Sequence, residues 1–143
     1  AIEAHPLAHK IDMIQGSSID PDIIAKVHEY AKDYERILVC LDSNHTHEHV
    51  LAELEAYAPL VSSGSYCVVF DTIIEDMPNN MFRNRPWGKG NNPKTAVWEY
   101  LRRLKDEGRT TADGIPLHFE IDKTIENKLL ITVAPNGYLK RVR

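Results

Sequence analysis

The chain has few cysteines, no long apolar run and no excess of basic residues, and each shortage excludes a class of protein. Only two of its 143 residues are cysteines, Cys40 and Cys67. Both lie inside apolar runs, so we expect buried free thiols in a reducing cytoplasm rather than a disulfide framework. No apolar stretch approaches the ~20 residues of a membrane span, and the first residues show no signal-peptide pattern. Because 17 Lys and Arg residues face 21 Asp and Glu residues, no basic footprint points to nucleic acid.

What remains is the composition of an ordinary globular domain. Hydrophobic residues make up 43% of the chain and charged residues 27%, which is close to the average for folded proteins. The length suits one compact core. No repeat, low-complexity tract or linker interrupts the sequence, so we expect residues 1–143 to form a single domain.

The first two thirds of the chain alternate between strand and helix patterns. Short apolar runs predict strands at 11–15, 37–41 and 66–70, and the last two are typical of parallel strands covered on both faces. Asp20-Pro21 and Asn92-Pro93 each place an N-cap residue before a proline, which predicts the starts of two helices, the first running to about 34. Apolar positions from 50 to 61 mark a helix between them.

The last part of the chain reads as antiparallel β structure. Strands are predicted at 117–121 and 129–134, and Pro135-Asn136-Gly137 predicts a hairpin turn into a strand at 138–142. The whole order predicts an α/β fold with a mainly parallel sheet at the front and an antiparallel edge at the back.

Two of the predicted parallel strands end in an aspartate, Asp42 and Asp71. Ligands of open α/β sheets bind beyond the carboxyl ends of the strands, and neighbouring strands lie about 4.8 Å apart. The two carboxylates should therefore converge on one edge, where paired oxygen ligands suit a hard cation such as Mg²⁺. The alternative is that both aspartates only cap the segments that follow them.

Three histidines stand close together in the stretch from Asp42 to His49. One interpretation places His45 at a strand-to-helix junction, where it meets a substrate as a base or donor. A second is a zinc site, because His45, Glu48 and His49 fit the H-x-x-E-H pattern of one metalloprotease class. The third is a solvated first turn of a helix without further function.

A segment of about 20 residues between Thr72 and Asn92 has no clear periodicity, and loops of this length are usually functional or mobile. It leaves the sheet beside Asp71, so it could fold over a site there. Trp87 would supply a flat apolar surface, and Arg85 and Lys94 could meet an anionic group. The alternative is an ordered surface loop with a buried Trp87 anchor.

Three stretches together, 42–51, 69–72 and 85–97, resemble the cephalosporin hydroxylase-like family of S-adenosylmethionine-dependent methyltransferases. Some members of that family act in cephamycin biosynthesis and others on rhamnosyl groups of lipids. The resemblance covers essentially the whole chain and implies a Rossmann-like methyltransferase fold, with a divalent metal such as Mg²⁺ at Asp42 and Asp71. Related metal-dependent methyltransferases have an acidic third ligand just before Asp71, whereas this chain has Phe70. The resemblance therefore leaves two expectations: Asn44 or Glu75 completes the ligand set, or no metal binds.

The resemblance also implies where the cofactor lies. The turn from Gly16 to Asp20 looks like the family's turn after its third strand, so Ser17, Ser18 and Asp20 could touch the adenine edge. The family's glycine-rich cofactor loop and its acidic ribose ligand do not precede Ala1. We therefore expect the chain to be the carboxyl-terminal part of a longer enzyme, inactive alone and without useful binding of S-adenosylmethionine.

In the parent topology, strands absent here lie beside the strand at 37–41. We therefore expect either residues 11–15 or a second copy of the chain, as a homo-oligomer, to cover the open edge.

The leading functional hypothesis is methyl transfer to a hydroxyl of a small molecule, such as a sugar or a secondary metabolite, with no nucleic acid and no membrane span involved. His45 and Asp42 are the candidate catalytic residues, and the candidate substrate contacts are Asn44, Glu75, Arg85, Trp87 and Lys94. The alternatives are a non-catalytic binding or assembly module of the same fold, and a zinc hydrolase that uses His45, Glu48 and His49.

Overall fold

A computed structural model describes residues 2–142 and contains a four-stranded mixed sheet. The strands are β1 (Val39–Leu41), β2 (Tyr66–Val69), β3 (Phe119–Ile121) and β4 (Tyr138–Arg141), and their order across the sheet is β1-β2-β4-β3. β1 and β2 are parallel, whereas β4 runs antiparallel to both of its neighbours. The predicted α/β class, with a parallel front and an antiparallel back, is confirmed.

Two of the longer helices begin where the sequence predicts them. α1 (Pro21–Ala31) and α3 (Pro93–Glu107) both start at a proline, and the side chains of Asp20 and Asn92 accept hydrogen bonds from the first-turn amides. This satisfies N–H groups that have no partner within the helix. The remaining helices are α2 (His47–Tyr57), a short α4 (Lys123–Glu126) and 3₁₀ turns at Ile2–Ala4, Ala8–Lys10, Ala58–Leu60 and Thr72–Asp76.

The core lies between the sheet and the pair α2 and α3. α3 is amphipathic, and both helices bury apolar positions against the inward faces of β1, β2 and β4. The fully buried side chains at the centre include Leu54, Val69, Val97, Tyr100 and Leu139. Burial of this apolar surface is the main stabilising term of the fold, and it fixes the strand ends relative to the start of α2.

Two predicted strands are wrong. Residues 11–15 form no strand and leave Ile11, Met13 and Ile14 exposed. Residues 129–134 are also irregular, since β3 already occupies the place beside β4. Leu129, Leu130, Ile131 and Val133 are exposed, whereas Ala134 is buried. The turn at 135–137 does form, with the Gly137 amide donating to the Ala134 carbonyl over 2.9 Å, but it leads into β4 without joining two strands as a hairpin.

β1 is an edge strand. Among residues 2–142 no strand pairs with its outer side, so the expectation that residues 11–15 cover this edge is wrong. Coverage by a second copy stays a prediction that light scattering can test. Both cysteines are free, as expected, but only Cys67 is buried, and that burial raises the pKa of its thiol. Cys40 is exposed on β1.

The strand directions bring three segments to one edge of the sheet, here called the carboxyl rim. β1 and β2 end there, and β4 begins there because Val68 pairs with Tyr138. The carboxyl rim therefore consists of residues 42–46, 70–92 and 122–137. Within the described part of the chain, no helix is long and apolar enough to cross a bilayer.

Candidate active site

Asp42, His45 and Asp71 meet at the carboxyl rim. Nε2 of His45 lies 3.1 Å from Oδ2 of Asp71 and 3.5 Å from Oδ1 of Asp42. One ligand atom from each residue lies within 4.8 Å of the others. His45 and Asp71 are 21% and 30% exposed, whereas Asp42 is 59% exposed. The two carboxylates therefore converge as the strand order predicted, and a histidine lies between them.

Local backbone structure holds each member of this cluster. Asp42 follows β1 directly, and the Phe70 amide donates to the Leu41 carbonyl over 3.0 Å, which carries the parallel pairing to the strand ends. Asp71 adopts left-handed backbone angles, φ 53° and ψ 23°, a conformation that Asp and Asn tolerate better than most residues. The chain thus turns sharply at Asp71, which lies between the end of β2 and the 3₁₀ turn Thr72–Asp76.

The turn that presents His45 is closed by Asn44. Its Oδ1 accepts hydrogen bonds from the amide and from the hydroxyl of Thr46, both over 2.9 Å. Thr46 is the N-cap residue of α2, so His45 lies just before the helix. The oxygen of Asn44 is therefore engaged within this turn, and its role as a substrate or metal ligand stays a prediction.

The long segment 72–92 packs over the cluster. The Trp87 ring meets His45 edge-on with ring centroids 4.9 Å apart, and the Arg85 guanidinium lies 5.4 Å from the Trp87 ring centroid. The segment is anchored because the His47 amide donates to Oδ1 of Asn91 over 2.8 Å. Trp87 and Arg85 therefore lie beside the cluster, as the expected contacts of a substrate would.

Glu75 and Lys94 serve the anchoring of this segment. Oε2 of Glu75 accepts from the Gly90 amide over 2.7 Å and from the side chain of Asn92. Lys94 is only 3% exposed and pairs with Asp76. Each charge thus has an internal partner that a substrate would need to displace, and the substrate roles of both residues stay predictions.

The donor set of the cluster fits a divalent cation. Two carboxylate oxygens and one imidazole nitrogen are available within a common ion's reach. Oxygen ligands suit Mg²⁺, and imidazole adds affinity for transition metals such as Mn²⁺. Glu75 does not belong to this cluster, and His45 lies beside the two aspartates instead.

A second polar cluster adjoins the first and was missed in the sequence. Nε2 of His49 lies 3.1 Å from the hydroxyl oxygens of Ser18 and Ser43, and Ser43 donates to Oε1 of Glu53 over 2.7 Å. Glu53 is 2% exposed. The hydroxyl of Tyr57 donates to the Ser18 carbonyl. The burial of Glu53 on α2 gave no signal in the sequence, because a glutamate in a helix is normally solvated.

The same contacts decide the zinc hypothesis. His49 faces Ser18, Ser43 and Glu53 on the other side of the turn, so it does not join His45. Within residues 2–142, the cluster of close ligand atoms consists of Asp42, His45 and Asp71 and omits Glu48 and His49. The geometry therefore argues against a zinc site made of His45, Glu48 and His49.

The predicted cofactor turn lies next to this second cluster. Ser18 lines a cavity of about 740 Å³ that runs along the free side of β1 and also reaches Asp42, Ser43 and Glu53. Asp20 instead uses its carboxylate to cap α1, with the Asp22 amide donating over 2.9 Å. Ser17 is exposed and contributes its carbonyl to the turn. Of the three predicted residues, Ser18 is the one placed in the cavity.

Comparison with known proteins adds the family. The chain is 34% identical to the rhamnosyl O-methyltransferase of Mycobacterium tuberculosis strain H37Rv over 129 residues, which are 90% of this chain and 46% of that protein. It is 30% identical to the rhamnosyl O-methyltransferase of Mycobacterium leprae over 139 residues, or 95% of this chain and 53% of that protein. The chain thus spans about half the length of the curated relatives it matches. No solved structure matches it at a significant level. The family model described as rhamnosyl O-methyltransferase/CmcI matches residues 1–142, and the chain belongs to this family.

Proposed function

We propose that this chain is the acceptor-activating part of a metal-assisted O-methyltransferase whose acceptor is a sugar hydroxyl, with a rhamnosyl group as the first candidate. The observation that carries the proposal is the convergence of Asp42, His45 and Asp71 on the carboxyl rim in a chain of this family. The choice of a rhamnosyl acceptor comes from the names of the mycobacterial relatives, which are rhamnosyl O-methyltransferases.

The residues present define what each group would do. When bound, S-adenosylmethionine supplies an electrophilic methyl group, and a divalent cation lowers the pKa of an acceptor hydroxyl. Asp42, His45 and Asp71 would hold the cation. Asp71 lies 3.1 Å from Nε2 of His45 and would orient the imidazole whenever that nitrogen does not hold the cation. The ring of His45 is fixed on its other side by the edge contact with Trp87.

The acceptor would lie between the cluster and the segment 72–92. Trp87 offers an aromatic ring of the kind that packs against the apolar face of a sugar, and Arg85 is exposed above it. Holding the hydroxyl in line with the methyl group would add to catalysis, since orientation alone can supply several kcal/mol. The hydroxyl proton leaves as the oxygen–carbon bond forms and the sulfur–carbon bond breaks. His45 is the nearest base to receive the proton if the cation is held by the two aspartates alone.

A chimera tests the proposal. The part of the Mycobacterium tuberculosis relative that this chain does not match would be joined to residues 1–143, and transfer of a radiolabelled methyl group to a rhamnosyl acceptor would be measured with Mg²⁺ or Mn²⁺. We expect transfer by the chimera, and loss of transfer in its Asp42→Asn and Asp71→Asn forms. The matched control is Asp106→Asn, which removes an exposed carboxylate at the far end of α3.

The outcome also separates the alternatives. A folded chimera that binds S-adenosylmethionine but transfers no methyl group would favour the non-catalytic module, for which Phe70 in place of an acidic residue is the supporting feature. The expectation that residues 1–143 alone bind S-adenosylmethionine poorly remains a prediction. Titration calorimetry that finds micromolar binding to the isolated chain would contradict it.

A further inference from the structure

Glu53 on α2 is a buried carboxylate to which the proposed function gives no role. The residue is 2% exposed. Its Oε1 accepts the hydrogen bond from Ser43 over 2.7 Å, whereas its Oε2 is buried and has no hydrogen-bond partner among residues 2–142. Nε2 of His49 lies 3.7 Å from Oε1, which is beyond hydrogen-bond distance. Taking a carboxylate out of water costs free energy that one hydrogen bond returns only in part.

A carboxylate with one unpaired oxygen in the interior is a poor source of stability. Replacing buried ionic groups by apolar side chains of similar volume is often neutral or stabilising, and polar groups kept at a cost in stability are typical of functional sites. Glu53 also lines the cavity of about 740 Å³ on the free side of β1, together with Asp42 and Ser43. Its surroundings therefore favour a role at the candidate active site over a role in the core.

Ser43 connects Glu53 to the cation cluster, because it follows Asp42 in the chain. On the other side of Asp42, the Leu41 carbonyl is held by backbone pairing with the residue after β2. The carboxylate of Asp42 itself is 59% exposed, and its contact with His45 at 3.5 Å is at the outer limit of hydrogen bonding. The direction of this carboxylate thus depends on how firmly its two neighbours in the chain are held.

We infer that Glu53 is a positioning residue that acts through Ser43 to aim the Asp42 carboxylate at the cation, an inference that rests on the proposed function. The hydrogen bond restricts the Ser43 side chain and the backbone beside Asp42, so the ligand loses less conformational freedom when the cation binds. His49 adds to this support, since its Nε2 lies 3.1 Å from the hydroxyl oxygens of both Ser43 and Ser18.

Three variants separate positioning from a contribution to stability. Electron paramagnetic resonance would give the Mn²⁺ affinity of the full chain, and denaturant titration its free energy of unfolding. Glu53→Leu should lower the Mn²⁺ affinity by about fivefold, the effect of one ordinary hydrogen bond, while the free energy of unfolding stays the same or rises. Glu53→Gln should stay within about twofold of wild type, because the amide oxygen can still accept from Ser43.

Ser43→Ala is the third variant, and it keeps the test decisive if Glu53→Leu does not fold. It removes the donor and leaves the buried helix position unchanged, so the Mn²⁺ affinity should again fall by about fivefold. The matched controls are Glu55→Leu and Glu55→Gln on the same helix. Glu55 pairs with Arg103 and Arg109 instead, so both controls should bind Mn²⁺ as the wild type does.

The results distinguish this inference from the proposed function. If the wild-type chain binds no Mn²⁺, the proposed function loses its cation and Glu53 has no ligand to position. If the wild type binds Mn²⁺ and Ser43→Ala binds it equally well, only the positioning role is overturned. That role is also overturned if Glu53→Gln loses as much affinity as Glu53→Leu, because the charge of Glu53 would then act instead of its hydrogen bond.

Discussion

Asp71→Asn should weaken divalent-cation binding without disturbing the fold. The amide has nearly the shape of the carboxylate, and asparagine tolerates the left-handed backbone angles of residue 71. An alanine at this position would add backbone strain, so a loss of cation affinity could then come either from the missing charge or from a disturbed backbone. Loss of affinity in the asparagine variant therefore reports on the charge of the side chain.

The size of the effect follows from distance and exposure. Two unit charges ~4 Å apart interact by about 1 kcal/mol in water and by about 4 kcal/mol at the dielectric typical of a protein surface. Because Asp71 is 30% exposed and Asp42 is 59% exposed, solvent screens the second more strongly. We therefore expect a loss of about 2 kcal/mol for Asp71→Asn and about 1 kcal/mol for Asp42→Asn, or about thirtyfold and fivefold in affinity.

Electron paramagnetic resonance of free Mn²⁺ during titration of the chain measures these affinities directly. Asp106→Asn is the matched control, since its carboxylate is 54% exposed and pairs with Arg102 on the surface of α3. If Asp42→Asn and Asp71→Asn bind Mn²⁺ as tightly as Asp106→Asn does, the cluster is not a metal site and the proposed activation of a hydroxyl fails with it.

The remaining predictions concern the fold, and thermal or denaturant unfolding checks each of them. Gly137→Ala should destabilise by about 2 kcal/mol or more, because the added Cβ would lie 2.1 Å from a backbone oxygen of β2; a variant as stable as wild type would refute this close contact. Lys94→Ala should lower the free energy of unfolding by about 1–3 kcal/mol, since the buried ammonium pairs with a carboxylate that is half exposed. An unchanged free energy of unfolding would show that this ion pair contributes nothing to stability. Hydrogen bonds from Thr124 and Tyr66 lower the pKa of Asp122 to about 2. Its ionised form therefore stabilises the fold above the ordinary carboxyl pKa of about 3.9, and this contribution disappears as the pH falls towards 2. Asp122→Asn should accordingly lose stability less steeply over that range, and an unchanged pH dependence would contradict the assignment.

The parts of the fold that local signals determine were predictable from the sequence. Asp20-Pro21 and Asn92-Pro93 fix the starts of α1 and α3, because an N-cap residue and a following proline act within one turn. The apolar runs around β1 and β2 likewise predict strands, but the strands are not buried on both faces, since Cys40 on β1 is exposed and β2 alternates between buried and half-buried residues. These features depend on neighbours in the sequence and need no knowledge of the rest of the chain.

Features that depend on distant partners were not predictable in this way. Residues 129–134 have the composition of a strand, but β4 already has β2 and β3 as its two neighbours, so the predicted hairpin partner has no place beside β4. The same limit applies to the candidate active site. Strand order alone places the two aspartates at one edge of the sheet, whereas the position of His45 between them depends on a turn closed by Asn44. The burial of Lys94 likewise could not be predicted from its neighbours in the sequence.

The position of His45 also bears on the choice of metal. Metal-dependent methyltransferases related to the family that this chain resembles have an acidic residue where this chain has Phe70, and phenylalanine offers no ligand atom. With His45 as the third ligand, the set carries two negative charges, which balance one divalent cation, and one of its donors is a nitrogen. Nitrogen donors favour transition metals over Mg²⁺, so we expect the chain to bind Mn²⁺ more tightly than Mg²⁺, and His45→Ala to reduce Mn²⁺ affinity more than Mg²⁺ affinity. Equal reductions in calorimetric titrations of the two ions would refute the predicted preference for Mn²⁺. No reduction for either ion would remove His45 from the ligand set and leave it free to act as the base.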